Sequence, residues 1–219
     1  MMMDLAKART NMVDNQLRTN RINDPAVLSA MAAVPREAFV PKALHGVAYA
    51  DEDLLLPDGQ FMIEPLVCAR MLQAAAIGGN DVLLMVGCDT GYTAAVASKL
   101  AATVIAIQPS EEAAARIQPI FDQLEADNVV TAVREDPAAG DADQAPFDAI
   151  MVIGAVEAVP QSLIDQLNDG GRLVAVEGRG RVGKGVLVTK IDGIPAKREL
   201  FDAYIPDFNG VQTAPAFAF

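Results

Sequence analysis

A junction between an apolar run and a glycine-bounded turn is the first feature of this sequence that could bind a ligand. The run covers residues 82–86 (VLLMV), and the turn 87–91 (GCDTG) leads into a segment of helical character. At such a junction in α/β proteins, free backbone N–H groups bind nucleotides. Asp89, however, stands where a middle glycine would let a ligand approach closely. The spacing leaves two interpretations open: a nucleotide site, and a simple tight turn in which Asp89 or Thr90 caps the helix.

Gln108 follows the next predicted strand, 103–107. In cofactor-binding sheets, an acidic residue at this strand end commonly binds ribose hydroxyls. Gln108 can also form hydrogen bonds to these hydroxyls. Because its amide lacks the charge of a carboxylate, its interaction is weaker by about 1 kcal/mol. A ribose-binding residue and a simple polar strand end are therefore both open interpretations.

Three other features are interpreted as structural. Residues 178–185 (GRGRVGKG) nearly match a phosphate loop, but Gly185 replaces the required hydroxyl and a strand follows, which favours a basic hairpin tip. His45 is the only histidine, which excludes multi-histidine metal sites, and a solvated histidine is favoured over a catalytic one. The acidic run 51–53 has no EF-hand spacing and is interpreted as a solvated face. No metal site is predicted.

The elements that must position these residues alternate along the chain. Hydrophobic periodicity and the positions of proline and glycine predict helices at 65–76, 91–100, from 110 onward and at 161–167. Strands are predicted at 82–86, 103–107, 129–133, 147–153, 172–176, 185–191 and 197–204. Such alternation predicts an α/β fold, in which a mostly parallel sheet has helices on both faces. The last two strands have no helix between them and are predicted to close the sheet as an antiparallel hairpin.

The two ends of the chain have their own character. Residues 1–64 are predicted to form an N-terminal extension, helical up to about residue 39 and loop-rich over 42–64, on a compact unit at 65–219. The tail from residue 205 carries Phe208, Phe217 and Phe219. We expect these rings to pack on the sheet, a docking strand being the alternative.

The composition limits the partners and the compartment. The 219 residues include 17 Lys and Arg against 29 Asp and Glu, a net charge of −12, so nucleic acids and anionic membranes are not expected partners. No apolar run approaches the roughly 20 residues of a membrane span, and no leader is recognised. Cys68 and Cys88 form no CxxC pair and are interpreted as buried thiols. We predict a cytoplasmic globular protein, and the sequence does not indicate its oligomeric state.

An ordered series of short motifs also runs through the chain. Its members lie at 12–13 (MV), 16–17 (QL), 24–31, 34–41 (VPREAFVP), 48–49 (AY), 59–60 (GQ), 86–96, 145–150 (APFDAI) and 170–174 (GGRLV). In this order they resemble the protein-L-isoaspartate O-methyltransferase family over roughly residues 12–180. The string at 34–41 is the most specific of them.

The resemblance implies a Rossmann-like class I methyltransferase fold with a seven-stranded sheet. It implies methyl transfer from S-adenosylmethionine to the α-carboxylate of an isoaspartyl residue in a protein or peptide, which starts the repair of damaged peptides. A carboxylate is already nucleophilic, so catalysis would consist mostly of positioning. By resemblance, the cofactor positions are Gly87, Asp89, Gly91, Gln108 and Asp136, and the substrate loop contains Gln60, Ile63 and Glu64.

Several of these positions depart from the family's motifs. Ile63 takes the place of a serine near the methyl acceptor, so no catalytic residue is assigned, and Glu64 would repel an anionic acceptor if it pointed inward. Asp89 replaces a glycine and Gln108 an acid, whereas Asp136 keeps the aspartate that would face adenine. Two hypotheses follow: an S-adenosylmethionine-dependent protein carboxyl methyltransferase with altered motifs, and a catalytically inactive relative that acts as a binding or interaction module.

Overall fold

The structure is a computed structural model, and it describes residues 4–57, 59–87, 90–178 and 182–208. The helices are α1 (Leu5–Asn11), α2 (Pro25–Ala33), α3 (Pro65–Ala75), α4 (Tyr92–Ala97), α5 (Glu111–Gln123) and α6 (Gln161–Asp165). The strands are β1 (Leu54–Leu55), β2 (Phe61–Met62), β3 (Val82–Val86), β4 (Thr103–Gln108), β5 (Val129–Val133), β6 (Phe147–Val156), β7 (Leu167–Glu177), β8 (Gly183–Ile191) and β9 (Ile194–Ala203). A π-helical stretch covers Met12–Leu17, and 3₁₀ turns cover Arg18–Asn20, Arg36–Phe39, Lys42–Val47 and Pro137–Ala139.

A seven-stranded sheet in the order β5-β4-β3-β6-β7-β8-β9 forms the centre of the molecule. Its first five strands pair in parallel, and β8 and β9 continue it in antiparallel pairing. This arrangement confirms the predicted mostly parallel sheet with a C-terminal antiparallel hairpin. After β3 the chain proceeds to β4 on one side, while β6 lies on the other side. The carboxyl ends of β3 and β6 therefore flank the crevice where open α/β sheets bind their ligands.

Several predicted element boundaries differ from those in the structure. The helix predicted at 161–167 ends at Asp165, because Leu167 already pairs with Phe147 as the first residue of β7. The strand predicted at 172–176 is correspondingly longer. The helix predicted at 91–100 is the shorter α4, since the chain tightens into a turn in which the N–H of Leu100 donates to Ala97 O at 2.9 Å.

Local capping fixes where two of the helices begin. Asp24 caps α2, accepting hydrogen bonds from the N–H groups of Ala26 and Val27 at 2.8 and 3.3 Å, with proline in the first turn. Ser110 caps α5 by accepting from Ala113 N at 3.2 Å. Aspartate and serine are among the residues preferred at this position, because their side chains satisfy N–H groups that the first helical turn leaves open.

Buried apolar side chains form one cluster on each face of the sheet. Leu83 and Met85 of β3 belong to one cluster, and Leu84 and Val86 to the other, as the alternation of side chains along a strand requires. The N-terminal segment packs into the first cluster, to which it contributes side chains that include Met12, Leu17, Met31 and Ile63. The division of the chain at residue 64 stays a prediction.

None of the helices in the described ranges has the length and apolar character that a membrane crossing would require.

Candidate cofactor and substrate site

The turn after β3 needs glycine at both ends. Gly87 has φ +72°, and a Cβ on it would lie 2.4 Å from the carbonyl oxygen of Ile153 and 2.4 Å from Cε2 of Phe208. Gly91, the N-cap of α4, has φ +88°. These conformations favour glycine, so the glycines serve the backbone path in addition to any role in binding.

The middle of this turn is described in part. Thr90 is buried, and its Oγ1 accepts a hydrogen bond from the N–H of Tyr92 at 3.5 Å, so it supports the start of α4. Asp89 and Cys88 lie outside the described residues. The predicted role of Asp89 in cofactor binding therefore stays a prediction.

Gln108 and Asp136 lie at the same edge of the sheet, because β4 and β5 are parallel neighbours. Gln108 is the last residue of β4 and is fully buried. Asp136 follows β5, is exposed, and accepts a hydrogen bond from Ala138 N at 3.1 Å, which caps a 3₁₀ turn. Beside Asp136 a cavity of about 350 Å³ is also lined by Ala138, Ala139, Val156, Glu157, Ala158, Pro160 and Ser162. The structure thus brings two predicted cofactor residues to one edge, next to a concave surface.

Ile63, in the predicted substrate loop, points into the core. Its side chain is fully buried among the apolar residues on the face that also carries Met85, and its carbonyl oxygen accepts a hydrogen bond from Nη2 of Arg36 at 2.9 Å. Ile63 therefore supports the loop through its burial and its backbone.

Glu64 lies at the N-cap position, directly before α3, beside two other carboxylates. Its N–H donates to Oδ1 of Asp53 at 2.8 Å. Burial, together with the charges of Asp51 and Asp53, raises the pKa of Glu64 to about 7, although Arg70 acts in the opposite direction. Burial also raises the pKa of Asp53. This end of the substrate loop thus changes its charge near neutral pH.

Arg36 links the substrate loop to the helix that follows the glycine turn. Its guanidinium is fully buried, and besides Ile63 O it donates to Ala48 O from Nε at 2.7 Å. The same group lies over the ring of Tyr92, 4.6 Å from the ring centre. Sequence reasoning used Arg36 only as part of a motif. The available signal was an arginine, next to a glutamate, inside the otherwise apolar string at 34–41.

A cavity of about 250 Å³ connects the predicted substrate loop with the predicted cofactor turn. Gln60 of the loop and Thr90 of the turn both line it. The rest of its wall is largely apolar and consists of Phe39, Pro41, Leu56, Pro57, Arg116, Ile117 and Ile120. Two sites that were predicted separately from the sequence therefore face one space.

The segment after β9 returns to the end of β6. Ala155 N donates to Pro206 O, and Phe208 N donates to Ala155 O, both at 2.8 Å. The Phe208 side chain packs against Gly87 and Gly154 at the ends of β3 and β6. The predicted packing of the tail on the sheet is confirmed for Phe208, whereas Phe217 and Phe219 lie outside the described residues. Sequence reasoning did not connect Phe208 with the glycine turn, because the two are far apart in the chain.

Of the three features that were interpreted as structural, the acidic run at 51–53 touches the site: Asp53 is partly buried and accepts the hydrogen bond from Glu64, so the run is not simply a solvated face. His45 lies in the 3₁₀ turn at 42–47 and is partly exposed. The tip of the hairpin before β8 falls on residues 179–181, outside the described residues. Within the described ranges, no group of three or more His, Cys, Asp or Glu could hold a metal ion.

Comparison with known proteins identifies the family. The sequence model of the protein-L-isoaspartate(D-aspartate) O-methyltransferase (PCMT) family matches residues 7–206. This chain belongs to that family. A protein-L-isoaspartate O-methyltransferase of Koribacter versatilis is 40% identical over 209 residues, which cover 95% of this chain and 94% of that protein. Another, from Methylorubrum extorquens, is 44% identical over 172 residues, covering 78% of this chain and 74% of that protein.

Solved structures share the fold of this PCMT-family protein. One from Plasmodium falciparum, described as a protein-L-isoaspartate O-methyltransferase in complex with S-adenosyl-L-homocysteine, has a TM-score of 0.77 at 19% identity and covers 93% of this chain and 99% of its own. A second structure of that name has a TM-score of 0.79 at 21% identity, covering 91% of this chain and 65% of its own. These likenesses confirm the Rossmann-like methyltransferase fold.

Proposed function

We propose that this protein transfers the methyl group of S-adenosylmethionine to a carboxylate of a protein or peptide, with the isoaspartyl α-carboxylate as acceptor. The observation that carries the proposal is the cavity between Gln60 and Thr90, because a transferase must hold acceptor and donor in one space. The activity named for relatives that are 40 to 44% identical supports the choice of acceptor. We also propose that the protein acts in the cytoplasm, as the composition predicts.

The residues at the carboxyl edge fit the cofactor on the side of its ribose and adenine. Asp136 offers a carboxylate, and Gln108 places an amide at the neighbouring strand end, where it is fully buried; ribose hydroxyls and adenine hydrogen-bond with such groups. Asp136 borders the cavity of about 350 Å³ and is open to a ligand. Bound there, the cofactor supplies an electrophilic methyl group.

The chain's own contribution would be to position the acceptor. A carboxylate needs no base to become a nucleophile, so the residues around the shared cavity must orient it and exclude water. Gln60 can donate a hydrogen bond to such an acceptor. Arg36 holds the backbone at Ile63 and thereby fixes the loop that carries Gln60. The serine hydroxyl that the family would place in this loop is replaced by a side chain directed into the core.

The alternative function is a non-catalytic binding module with the same fold. It is favoured by one observation, the packing of Phe208 over Gly87 and Gly154, where a cofactor would approach the sheet. The changed motif positions Ile63, Asp89 and Gln108 point the same way.

Methyl transfer to a matched pair of peptides tests the proposal. Labelled S-adenosylmethionine is supplied with a peptide that contains one isoaspartyl residue, or with the same peptide containing aspartate. We expect base-labile label on the isoaspartyl peptide alone. Absence of transfer at saturating protein, with transfer gained in the triple variant Ile63→Ser, Asp89→Gly and Gln108→Glu, would instead support the non-catalytic alternative.

A further inference from the structure

We propose that Phe208 occludes the cofactor crevice, so that S-adenosylmethionine binds only when the segment 204–208 moves away from the ends of β3 and β6. The inference rests on the proposed function, since it takes this cofactor as the ligand. It adds a means of regulation: the segment 204–208 competes with the cofactor for the same crevice.

The position of the ring is the first argument. The crevice at the point where strand order reverses is bounded by the carboxyl ends of β3 and β6, at Gly87 and Gly154. A Cβ on Gly87 would lie 2.4 Å from the Phe208 ring, and one on Gly154 would lie 2.8 Å from Phe208 Cα. The ring therefore takes up the space that these glycines leave open on this side of the crevice.

The attachment of the segment is the second argument. Ile205 joins the apolar cluster on one face of the sheet and Phe208 joins the cluster on the other, so the segment crosses the sheet's edge as a strap. Two backbone hydrogen bonds to Ala155 and the burial of these side chains hold it there. The attachment is local, and the strap can detach without breaking a pairing of the seven-stranded sheet.

A strap that must open lowers the apparent affinity for the cofactor. The observed dissociation constant equals the intrinsic one divided by the fraction of molecules in the open state. Removing the ring raises that fraction and tightens binding. If the ring instead formed a wall of the cofactor pocket, its removal would weaken binding, so the direction of the change decides between the two roles.

Calorimetric titration with S-adenosylhomocysteine measures that direction. We expect Phe208→Ala to lower the dissociation constant by about tenfold, which corresponds to an open fraction of about one tenth in the parent protein. Phe201→Ala is the matched control, because Phe201 lies on β9 against Gly185 and Arg70, away from the crevice, and its dissociation constant should equal that of the parent. Phe208→Leu, which retains an apolar side chain, should have a dissociation constant between those of the parent and Phe208→Ala. It provides the test if the alanine variant does not fold.

Hydrogen exchange supplies a second readout. The N–H of Phe208 donates to Ala155 O, so saturation with S-adenosylhomocysteine should accelerate exchange at this amide while exchange in β3 slows. An unchanged or higher dissociation constant in Phe208→Ala, with tight binding by the parent, overturns the occlusion and leaves the proposed function standing. No binding by the parent or by any variant overturns both.

Discussion

Arg36 places a guanidinium in the core, where it donates hydrogen bonds to two backbone carbonyls and lies over the face of Tyr92. Charge-assisted hydrogen bonds of this kind contribute about 1.5 kcal/mol each or more, and their loss leaves buried carbonyls without donors. We therefore expect Arg36→Met to lower the free energy of unfolding by about 3 kcal/mol. Urea denaturation measures the change.

The exposed Arg18 is the matched control for that variant. Arg18 pairs with Asp14 on the surface at 3.2 Å, and such pairs contribute less than about 1 kcal/mol. Arg18→Met should thus leave the urea midpoint almost unchanged. Equal effects of the two substitutions would show that Arg36 does not hold the loops together.

Glu64 should make the use of an anionic acceptor depend on pH. Its carboxyl group is neutral below a pKa of about 7 and negative above it, so the substrate loop becomes more repulsive as the pH rises. We expect the KM for an isoaspartyl peptide to increase between pH 6 and 8, and Glu64→Gln to remove that increase. Glu52→Gln, at an exposed neighbouring acid, should keep the parent's profile. If Glu64→Gln left the pH dependence of KM unchanged, Glu64 would not be the group that causes it.

The same group should affect stability in a definite direction. The folded protein holds this proton more tightly than the unfolded chain, whose glutamate titrates near 4.5. Stability is therefore unaffected below pH 4.5 and decreases as the pH rises through about 7. Glu64→Gln should raise the melting temperature relative to the parent at pH 8 and not at pH 4.5. Thermal unfolding at both pH values, with Glu52→Gln as the control variant, measures this difference in melting temperature independently of catalysis.

Residue types alone predicted part of this site. The glycine turn and Gln108 could be singled out because each follows a predicted parallel strand, and such strands end at one edge of the sheet, whereas Asp136 was assigned only by the family resemblance. The burial of Ile63 and the position of Phe208 could not, since both depend on which side chains the folded chain brings together over long sequence separations.

Among the elements, continuous apolar runs were the most predictable. Strands β3 and β5 have the predicted bounds. The run VLLMV of β3 is buried in the parallel sheet and has few alternative structures, whereas the partly exposed edge strand β5 is rich in β-branched residues, which favour strands. The hairpin of β1 and β2 lies in a stretch that was predicted as loop-rich. Each of its strands has 2 residues, which are too few to show the alternation of apolar and polar residues by which a strand is predicted from a sequence.

The end of α3 offers a prediction at this scale. Its C-cap, Ala76, has φ +45° in the left-handed region, which favours glycine. Relief of that strain should outweigh the extra freedom of glycine in the unfolded chain, so Ala76→Gly should raise the free energy of unfolding by about 0.5 kcal/mol. Ala115→Gly, at an exposed position inside α5, should lower it by about 0.5–1 kcal/mol. Urea titrations of both variants give the sign of the change in the free energy of unfolding. A loss of stability in Ala76→Gly would contradict the proposed backbone strain at Ala76.

For the whole molecule, we expect the net charge of −12 to affect the encounter with the acceptors of the proposed reaction. Charged surfaces steer oppositely charged partners over distances comparable to the Debye length, about 10 Å at 0.1 M salt. The carboxylates at 51–53 and Glu64 lie in or near the substrate loop, so the charge around an isoaspartyl residue should matter at this site too. Damaged sites flanked by lysine should therefore be preferred to sites flanked by glutamate.

That preference should weaken as salt is added, because screening acts on steering and leaves short-range contacts largely intact. We expect the kcat/KM of a lysine-flanked isoaspartyl peptide to exceed that of a glutamate-flanked one by about tenfold in 10 mM salt, and by about twofold at 0.3 M. A serine-flanked peptide is the control, since its kcat/KM should stay nearly constant over the series. A preference that persists undiminished at high salt would locate it in direct contacts with the substrate loop, and Glu64→Gln would then reduce it at every salt concentration.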